Sequence, residues 1–166
     1  LSSHRPDGFL IRHAGAEDLA GVTACLAAAF EAYRETYTEA AFRDTVLSGP
    51  DPQRRLREMT ILVAIDAAGR IVGTIAHRMT GEAVGHLRGM AVLPELQGGG
   101  VAGRLLSAAE EELRARGCRR VTLNTTEVLG RAREFYRRHG YVATGIEGDF
   151  FGMPLIEHQK TLSGHG

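Results

Sequence analysis

The densest potential chemistry in the chain is a run of glycines. Gln97-Gly98-Gly99-Gly100-Val101-Ala102-Gly103 lies between a strand-like run and the strongest helical pattern in the sequence. Four glycines in six residues leave the backbone open to close approach. The start of the following helix adds N–H groups without partners and the positive end of the helix dipole. Together they make an anion cradle suited to a phosphate or pyrophosphate. A loop that merely needed a left-handed turn would be served by one glycine. Gly98-x-Gly100-x-x-Gly103 has the form of the dinucleotide fingerprint, but it follows a series of hairpins past mid-chain, where that fingerprint opens a βαβ unit. The next strand also ends at Asn124, with no acid placed for a ribose, and no Gly-Lys-Ser/Thr follows to make a P-loop. Ahead of the loop, Gly85-His86-Leu87-Arg88-Gly89-Met90-Ala91-Val92 reads as a strand whose alternation puts His86, Arg88 and Met90 on one face. An imidazole titrates near neutrality and can accept a proton; a strand histidine making one structural hydrogen bond is the alternative.

The elements that must hold these residues can be read from the rest of the chain. It has 166 residues, 43% hydrophobic and 24% charged, with a net charge of zero. Those values exclude a disordered tail, a coiled coil and a collagen-like chain, and they suit one domain that buries a core without disulfides. Charge neutrality gives no basic field for nucleic acid or an anionic membrane. Cys25 and Cys118 have no neighbouring Cys or His and read as small core residues, with no metal site. The apolar run 22–30 is too short to span a bilayer, and no signal-like segment opens the chain, so a cytoplasmic setting is expected. Residues 1–8 read as a loose leader and 9–162 as a single domain. The pattern predicts a strand at 9–12 and a helix carrying Leu19, Val22, Leu26 and Phe30, its start flagged by Glu17 and Asp18. A second helical piece at 38–47 is broken by Ser48-Gly49-Pro50-Asp51-Pro52. Strands follow at 59–65, 70–79 and 84–93, then a helix at 101–116 with Val101, Leu105, Ala109 and Leu113 on one stripe and Gly117 at its end. A strand at 121–124, a helix at 131–139 stopped by Gly140, and strands at 141–146 and 154–162 complete the order. Hairpins before a strand–helix–strand crossover predict an α/β chain of the α+β type, with a mixed, mostly antiparallel sheet flanked by about four helices.

Two segments carry a resemblance. Gln97-x-x-Gly100-x-Ala102 after Met90-Ala91-Val92, and Ala132-Arg133-Glu134-Phe135-Tyr136-Arg137-Arg138-His139-Gly140-Tyr141 downstream, resemble the two signatures of the GNAT superfamily of acetyl-CoA-dependent N-acetyltransferases. Their order, their separation and the element order around them match, so the resemblance covers roughly 9–162. It implies a sheet with a splayed central strand pair, acetyl-CoA as acyl donor, an amine as acceptor, and direct attack without a metal or a covalent enzyme intermediate. By the same resemblance the backbone of Met90, Ala91 and Val92 pairs with the pantetheine arm, and the Val92 N–H polarises the thioester oxygen. Gln97, Gly98, Gly99, Gly100, Val101, Ala102 and Gly103 hold the pyrophosphate. Tyr136 faces the cofactor sulfur with Phe135 beside it, packed in the core or against the cofactor. Many members place an asparagine where this chain has Leu129, so a pantetheine or nucleophile contact is missing or is supplied by Asn124 or Thr125. His86 is similar to the imidazole of the arylalkylamine branch, but Arg88 stands where that branch has its second one. Glu127, Glu31 or water are the reserve bases.

The chemistry sets the demands on these groups. An alkyl ammonium with a pKa of about 10 is only ~0.1% free base at pH 7, a penalty of roughly 4 kcal/mol that a base near neutrality can relieve in part. A phenol of pKa about 10 facing a thiol of about 8.5 makes full proton transfer uphill by roughly 2 kcal/mol, so Tyr136 is read as a hydrogen-bond donor that turns acid only if its pKa is lowered. Residues 104–138 hold nine arginines against five acids, and Arg104, Arg131 or Arg138 would suit the phosphates. On the acceptor side, Phe30, Tyr33, Tyr37 and Phe42 interleave with Glu31, Glu35 and Glu39, an aromatic and acidic wall for a small cationic amine. Asp149-Phe150-Phe151-Gly152 is a further candidate wall. The competing readings are a non-catalytic acyl-CoA-sensing or partner-binding domain and a longer-chain acyltransferase. A homodimer is compatible with the sequence; a nucleic-acid module is not expected.

Overall fold

The structure is a computed structural model and describes residues 8–163. Apart from Gly8, the expected leader at 1–8 lies outside the described residues. The fold is α+β: a seven-stranded sheet in the order β1-β2-β3-β4-β5-β7-β6, antiparallel at every junction except β4–β5. The strands are β1 (Phe9–His13), β2 (Thr60–Asp66), β3 (Ile71–Gly81), β4 (Val84–Val92), β5 (Arg120–Thr125), β6 (Val142–Phe150) and β7 (Met153–Thr161). Five α-helices accompany them: α1 (Leu19–Phe30), α2 (Glu39–Thr45), α3 (Arg54–Glu58), α4 (Val101–Ala115) and α5 (Gly130–Arg138). The core runs from Phe9 to Leu162 and takes in the predicted stripe of α4, where Val101, Leu105, Ala109 and Leu113 are all buried against the sheet. Cys25 and Cys118 are buried and unbridged, as read.

Local chemistry accounts for the element ends that matter here. Asp18, expected to serve the dipole of α1, instead accepts two hydrogen bonds from the Arg12 guanidinium (2.8 and 2.9 Å) and one from the Gly15 N–H (2.8 Å). The Arg12 bond and the Gly15 N–H hold its carboxyl down at about 2. Thr38 caps α2 by accepting from the Ala41 N–H, and its hydroxyl donates to the Phe151 carbonyl at 2.7 Å. That bond ties the β6–β7 turn to the start of α2. At the other end of the sheet, the Tyr141 hydroxyl donates to Glu110 at 2.7 Å, and Lys160 closes on the same carboxylate at 2.9 Å. The segment after α5 is thereby locked to α4.

Two departures from the sequence reading are physical. The five-residue α3 was not expected; it is one turn held by the Arg54–Glu58 pair at 2.8 Å, too short for any periodicity to show. Strand β6 extends to Phe150 rather than stopping at 146, because pairing with β7 overrides the turn propensity of Gly148-Asp149. The irregularity falls between Ala143 and Glu147, around Gly145 with φ +86.

Leu105 of the glycine-loop helix is fully buried where α4 packs on β3, its side chain against Gly73. Leu105→Ala should lower stability by about 2–5 kcal/mol, read as a reduced denaturant midpoint at unchanged m-value. A loss below about 0.5 kcal/mol would mean that α4 is not held by this contact.

Candidate active site

The site begins where two neighbouring strands part. The parallel ladder between β4 and β5 has three rungs, Val84–Arg120, Gly85–Val121 and His86–Thr122, and then ends. Beyond it β5 stays with β7 as far as Thr125, while β4 stays with β3 as far as Val92. On β4 two residues, Gly89 and Met90, face one on β3, a bulge in which Gly89 takes φ +66. The bulge interrupts the alternation that was expected to align His86, Arg88 and Met90. The resulting cleft opens into a cavity of about 1000 Å³, at the upper end for small-ligand sites.

Past the bulge, the Leu93 N–H donates to the Val72 carbonyl at 2.9 Å. In an antiparallel ladder this places Val92, opposite Gly73, at a non-hydrogen-bonded position, so its N–H and carbonyl turn away from β3 into the cleft. The carbonyl accepts from the Gln97 side chain at 3.2 Å, leaving the N–H as the group on offer. The side chain of Gln97 thus closes the loop onto β4, a role its place in the expected phosphate set did not suggest. Ala91 lines the cavity too, but at the adjoining hydrogen-bonded position its backbone faces β3, so of Met90, Ala91 and Val92 it has the least backbone to give a ligand.

The glycine cradle follows. Gly98 and Gly100 have φ +86 and +89, and a β-carbon at either would meet nothing within 4 Å, so both backbones lie open to the cavity. Gly99 packs against the Leu96 carbonyl, where a β-carbon would come within 3.2 Å. The first hydrogen bond of α4 runs from the Arg104 N–H to the Gly100 carbonyl at 3.1 Å. Val101, Ala102 and Gly103 therefore carry N–H groups with no acceptor inside the helix. Arg131, Arg138 and His139 line the cavity, with His139 Nε2 near Gly103. Arg104, expected among the phosphate neighbours, lies over the Phe9 ring at 4.6 Å and does not line the cavity. These open amides and flanking cations fit a pyrophosphate.

His86 sits at the vertex of the cleft. Its Nδ1 is 2.7 Å from Thr122 Oγ1, across the last rung of the ladder. The threonine hydroxyl also donates to the Gly85 carbonyl at 3.4 Å, so its proton is engaged there and its lone pair faces the ring. That arrangement favours the Nδ1–H tautomer and leaves the Nε2 lone pair for the cavity. Burial pulls the imidazole below its ordinary pKa, with Arg78 and Arg88 acting in the same sense and Glu157 against them. His86 is then neutral at pH 7 and able to accept a proton. The reserve carboxylates are elsewhere: Glu31 is exposed and paired with Arg34 at 3.1 Å, and neither it nor Glu127 lines the cavity.

Tyr136 is buried on α5, edge-on to Phe135 and Tyr141 at 5.3 and 5.7 Å between centroids. Its hydroxyl has no hydrogen-bond partner among the described residues, and it lines the cavity together with Phe135, Asn124 and Leu129. Phe135 also packs on the core, so the two readings of it coincide. Burial pushes the Tyr136 phenol well above its ordinary pKa. The condition for an acid role is absent, and what remains is hydrogen-bond donation.

The opposite wall differs from expectation in its charges. Phe30, Tyr33 and Tyr37 line it, with centroids 6.0–6.4 Å apart, and burial raises the Tyr37 phenol to about 12. Phe150 and Phe151 close it. Phe42, however, belongs to the core, and Glu31, Glu35 and Glu39 point to solvent. The charged residues that line this wall are instead Asp44, Asp51, Arg54, Arg55, Glu58, Arg78 and Arg88. Arg88 pairs with Asp44. Arg55 and Thr126 were missed from the sequence. Thr126 presents a buried hydroxyl beside the Tyr37 phenol, and no residue pattern marks it. Arg55 falls in the stretch 53–58, which carried no assigned element.

Comparison with known proteins agrees with this geometry. The sequence profile of the family described as Acetyltransferase (GNAT) family matches residues 22–141. The uncharacterized N-acetyltransferase YjhQ of Escherichia coli is 36% identical over 115 residues, 57% of this chain, and the chain spans 60% of that relative's length. Among solved structures, the PaiA N-acetyltransferase of Thermoplasma acidophilum, in complex with coenzyme A, superposes with a TM-score of 0.79 at 17% identity, over 93% of this chain and 99% of that one. A GNAT-family acetyltransferase of Staphylococcus aureus gives 0.75 at 15%, with the same coverage of each chain. At such identities these two establish the shared fold. No helix among the described residues is long and apolar enough to cross a membrane.

The state of His86 can be measured directly. Titration of its ring resonances should give a midpoint below 6.5, with the proton on Nδ1 in the neutral form. A midpoint above 6.5, or an Nε2–H tautomer, would contradict the environment described.

Proposed function

The chain belongs to the acetyltransferase (GNAT) family, and from that premise we propose that it moves acetyl from acetyl-CoA to a primary amine of a small molecule or peptide. Residues 9–162 act as one N-acetyltransferase domain. The observation that carries the reading is the cleft between β4 and β5, with the unclaimed N–H of Val92 on its wall and the open cradle of Gly98–Gly103 at the end of the same strand. The donor thereby lies along β4, its pyrophosphate on the amides of 101–103 and its pantetheine arm beside Met90 and Val92. Asn124 and Phe135 border the arm from the other side of the cleft.

Each residue has a defined task in the transfer. The Val92 N–H donates to the thioester oxygen, where negative charge grows as the amine nitrogen bonds to the carbonyl carbon. His86 Nε2 takes the amine's proton, directly or through one water, and Thr122 holds the ring in the required tautomer. The C–S bond breaks as the carbonyl re-forms. Tyr136 donates a hydrogen bond to the departing sulfur without giving up its proton, which its buried phenol retains; the thiolate is protonated from solvent as it leaves. The cations around His86 add a further effect, since a positive field also disfavours the ammonium form of the incoming amine.

Acetyl-CoA should bind in calorimetric titration while NADH does not, and an amine panel should then release CoA thiol. Acetyl-CoA binding with no thiol release would favour a sensor; no binding would refute the assignment. With a substrate in hand, kcat/KM should rise with pH through a limb below 6.5 that belongs to His86. His86→Ala should remove that limb and cost about 10²-fold or more. Tyr136→Phe should lower kcat with acetyl-CoA affinity retained; unchanged kcat would remove Tyr136 from the reaction.

A further inference from the structure

Arg55 is the least expected charge in the molecule. It projects from α3 into the wall of the cavity and is only 8% exposed. Its guanidinium lies on the β4 bulge: a β-carbon built at Gly89 would sit 2.6 Å from Arg55 Nη1. The glycine both allows φ +66 and leaves room for the cation beside the point where the strands part. Among the described residues Arg55 has no ion pair and no side-chain hydrogen bond. Its acidic neighbours are each bonded to another arginine. Asp44 is engaged by Arg88, Glu58 by Arg54 at 2.8 Å, and Asp51 by Arg57. Arg78, on the same wall, also has no carboxylate partner among the described residues. Burial pulls Arg55 down to about 10, opposed by Asp44 and Glu58 and aided by Arg88, so it remains charged at neutral pH.

A buried guanidinium with free donors is costly unless an anion meets it. The donor's phosphates are accounted for by the cradle at the end of β4. The unmet cation lies against Gly89 on β4, three residues along the strand from His86, in the same cavity that Phe150 and Phe151 line. We infer that the acceptor is a zwitterionic small molecule, an amine that also carries a carboxylate, and that Arg55 binds the carboxylate while His86 faces the amine. The inference rests on the acetyltransferase reading above and narrows its substrate class. A simple polycation would meet Arg55 and Arg78 with no acid free to balance them. An amino-acid-like acceptor brings its own counter-charge, and the planar fork of arginine matches a carboxylate's two oxygens.

The test pairs amines that differ only in the carboxylate. Wild-type protein is first titrated with acetyl-CoA. Thiol release is then followed for α- and short ω-amino acids against their decarboxylated amines. The expected result is a kcat/KM preference of about 10- to 100-fold for the carboxylated member, the usual worth of a hydrogen bond to a charged partner. Arg55→Met should collapse that ratio towards one and raise KM more than it lowers kcat. Arg55→Lys should restore part of the ratio. Thermal melts of both variants report whether the fold is retained. Equal or better turnover of the decarboxylated amines, or a ratio that survives Arg55→Met, overturns the inference and leaves the acetyltransferase reading intact. Acetyl-CoA binding with no turnover of any carboxylated amine overturns it too. A wild-type protein that fails to bind acetyl-CoA refutes the acetyltransferase reading itself.

Discussion

The molecule is organised by an interruption in its hydrogen bonding. Two parallel strands that share three rungs then diverge, and every backbone polar group past the fork must find another partner or face the cavity. β5 solves this by pairing with β7 along its length. β4 solves it by pairing with β3 on one side, through a bulge, and by giving its Val92 carbonyl to Gln97. What stays unpaid is the Val92 N–H, together with the first amides of α4. An unmatched donor row beside open glycines suits an extended, phosphate-tailed ligand, which is why the fork carries the proposed donor site.

The two walls of the cavity divide the electrostatic work. Along β4 and α4 the positive partial charges come from backbone, which cannot move or lose its protons. Around His86 and the acceptor wall they come from side chains. Burial first, and then Arg78 and Arg88, keep the His86 imidazole below its ordinary pKa. Burial alone raises the Tyr136 phenol, so it keeps its proton and can donate a hydrogen bond. These assignments require no flexible element. The vertex of the cleft is fixed by the His86–Thr122 contact, and the acceptor wall by the bond from Thr38 to the β6–β7 turn.

Much of this is legible in the amino-acid sequence. The period of Val101, Leu105, Ala109 and Leu113 announced α4, and the glycines before it announced the cradle, because both signals are local. The splayed pair came only with the family resemblance, since a missing ladder leaves no mark on residue types. The acceptor wall was legible in its aromatics and not in its charges. Glu31, Glu35 and Glu39 interleave with those rings in sequence, yet the chain from 31 to 38 is a series of tight turns with no period to align them, and all three acids are exposed. Arg55 was invisible because a one-turn helix has no period, and an arginine's burial is decided by what packs over it. Arg104 illustrates the converse: adjacency to the cradle in sequence did not stop its guanidinium from stacking over Phe9.

The central claim is that the amides left free by the parted strands are where acetyl-CoA binds. Amide hydrogen exchange, followed residue by residue with and without acetyl-CoA, tests it most directly. Slowed exchange at Val92, Val101, Ala102 and Gly103, with no comparable change on adding NADH, is the predicted result. Exchange at those four positions that is unaltered by saturating acetyl-CoA would contradict the account.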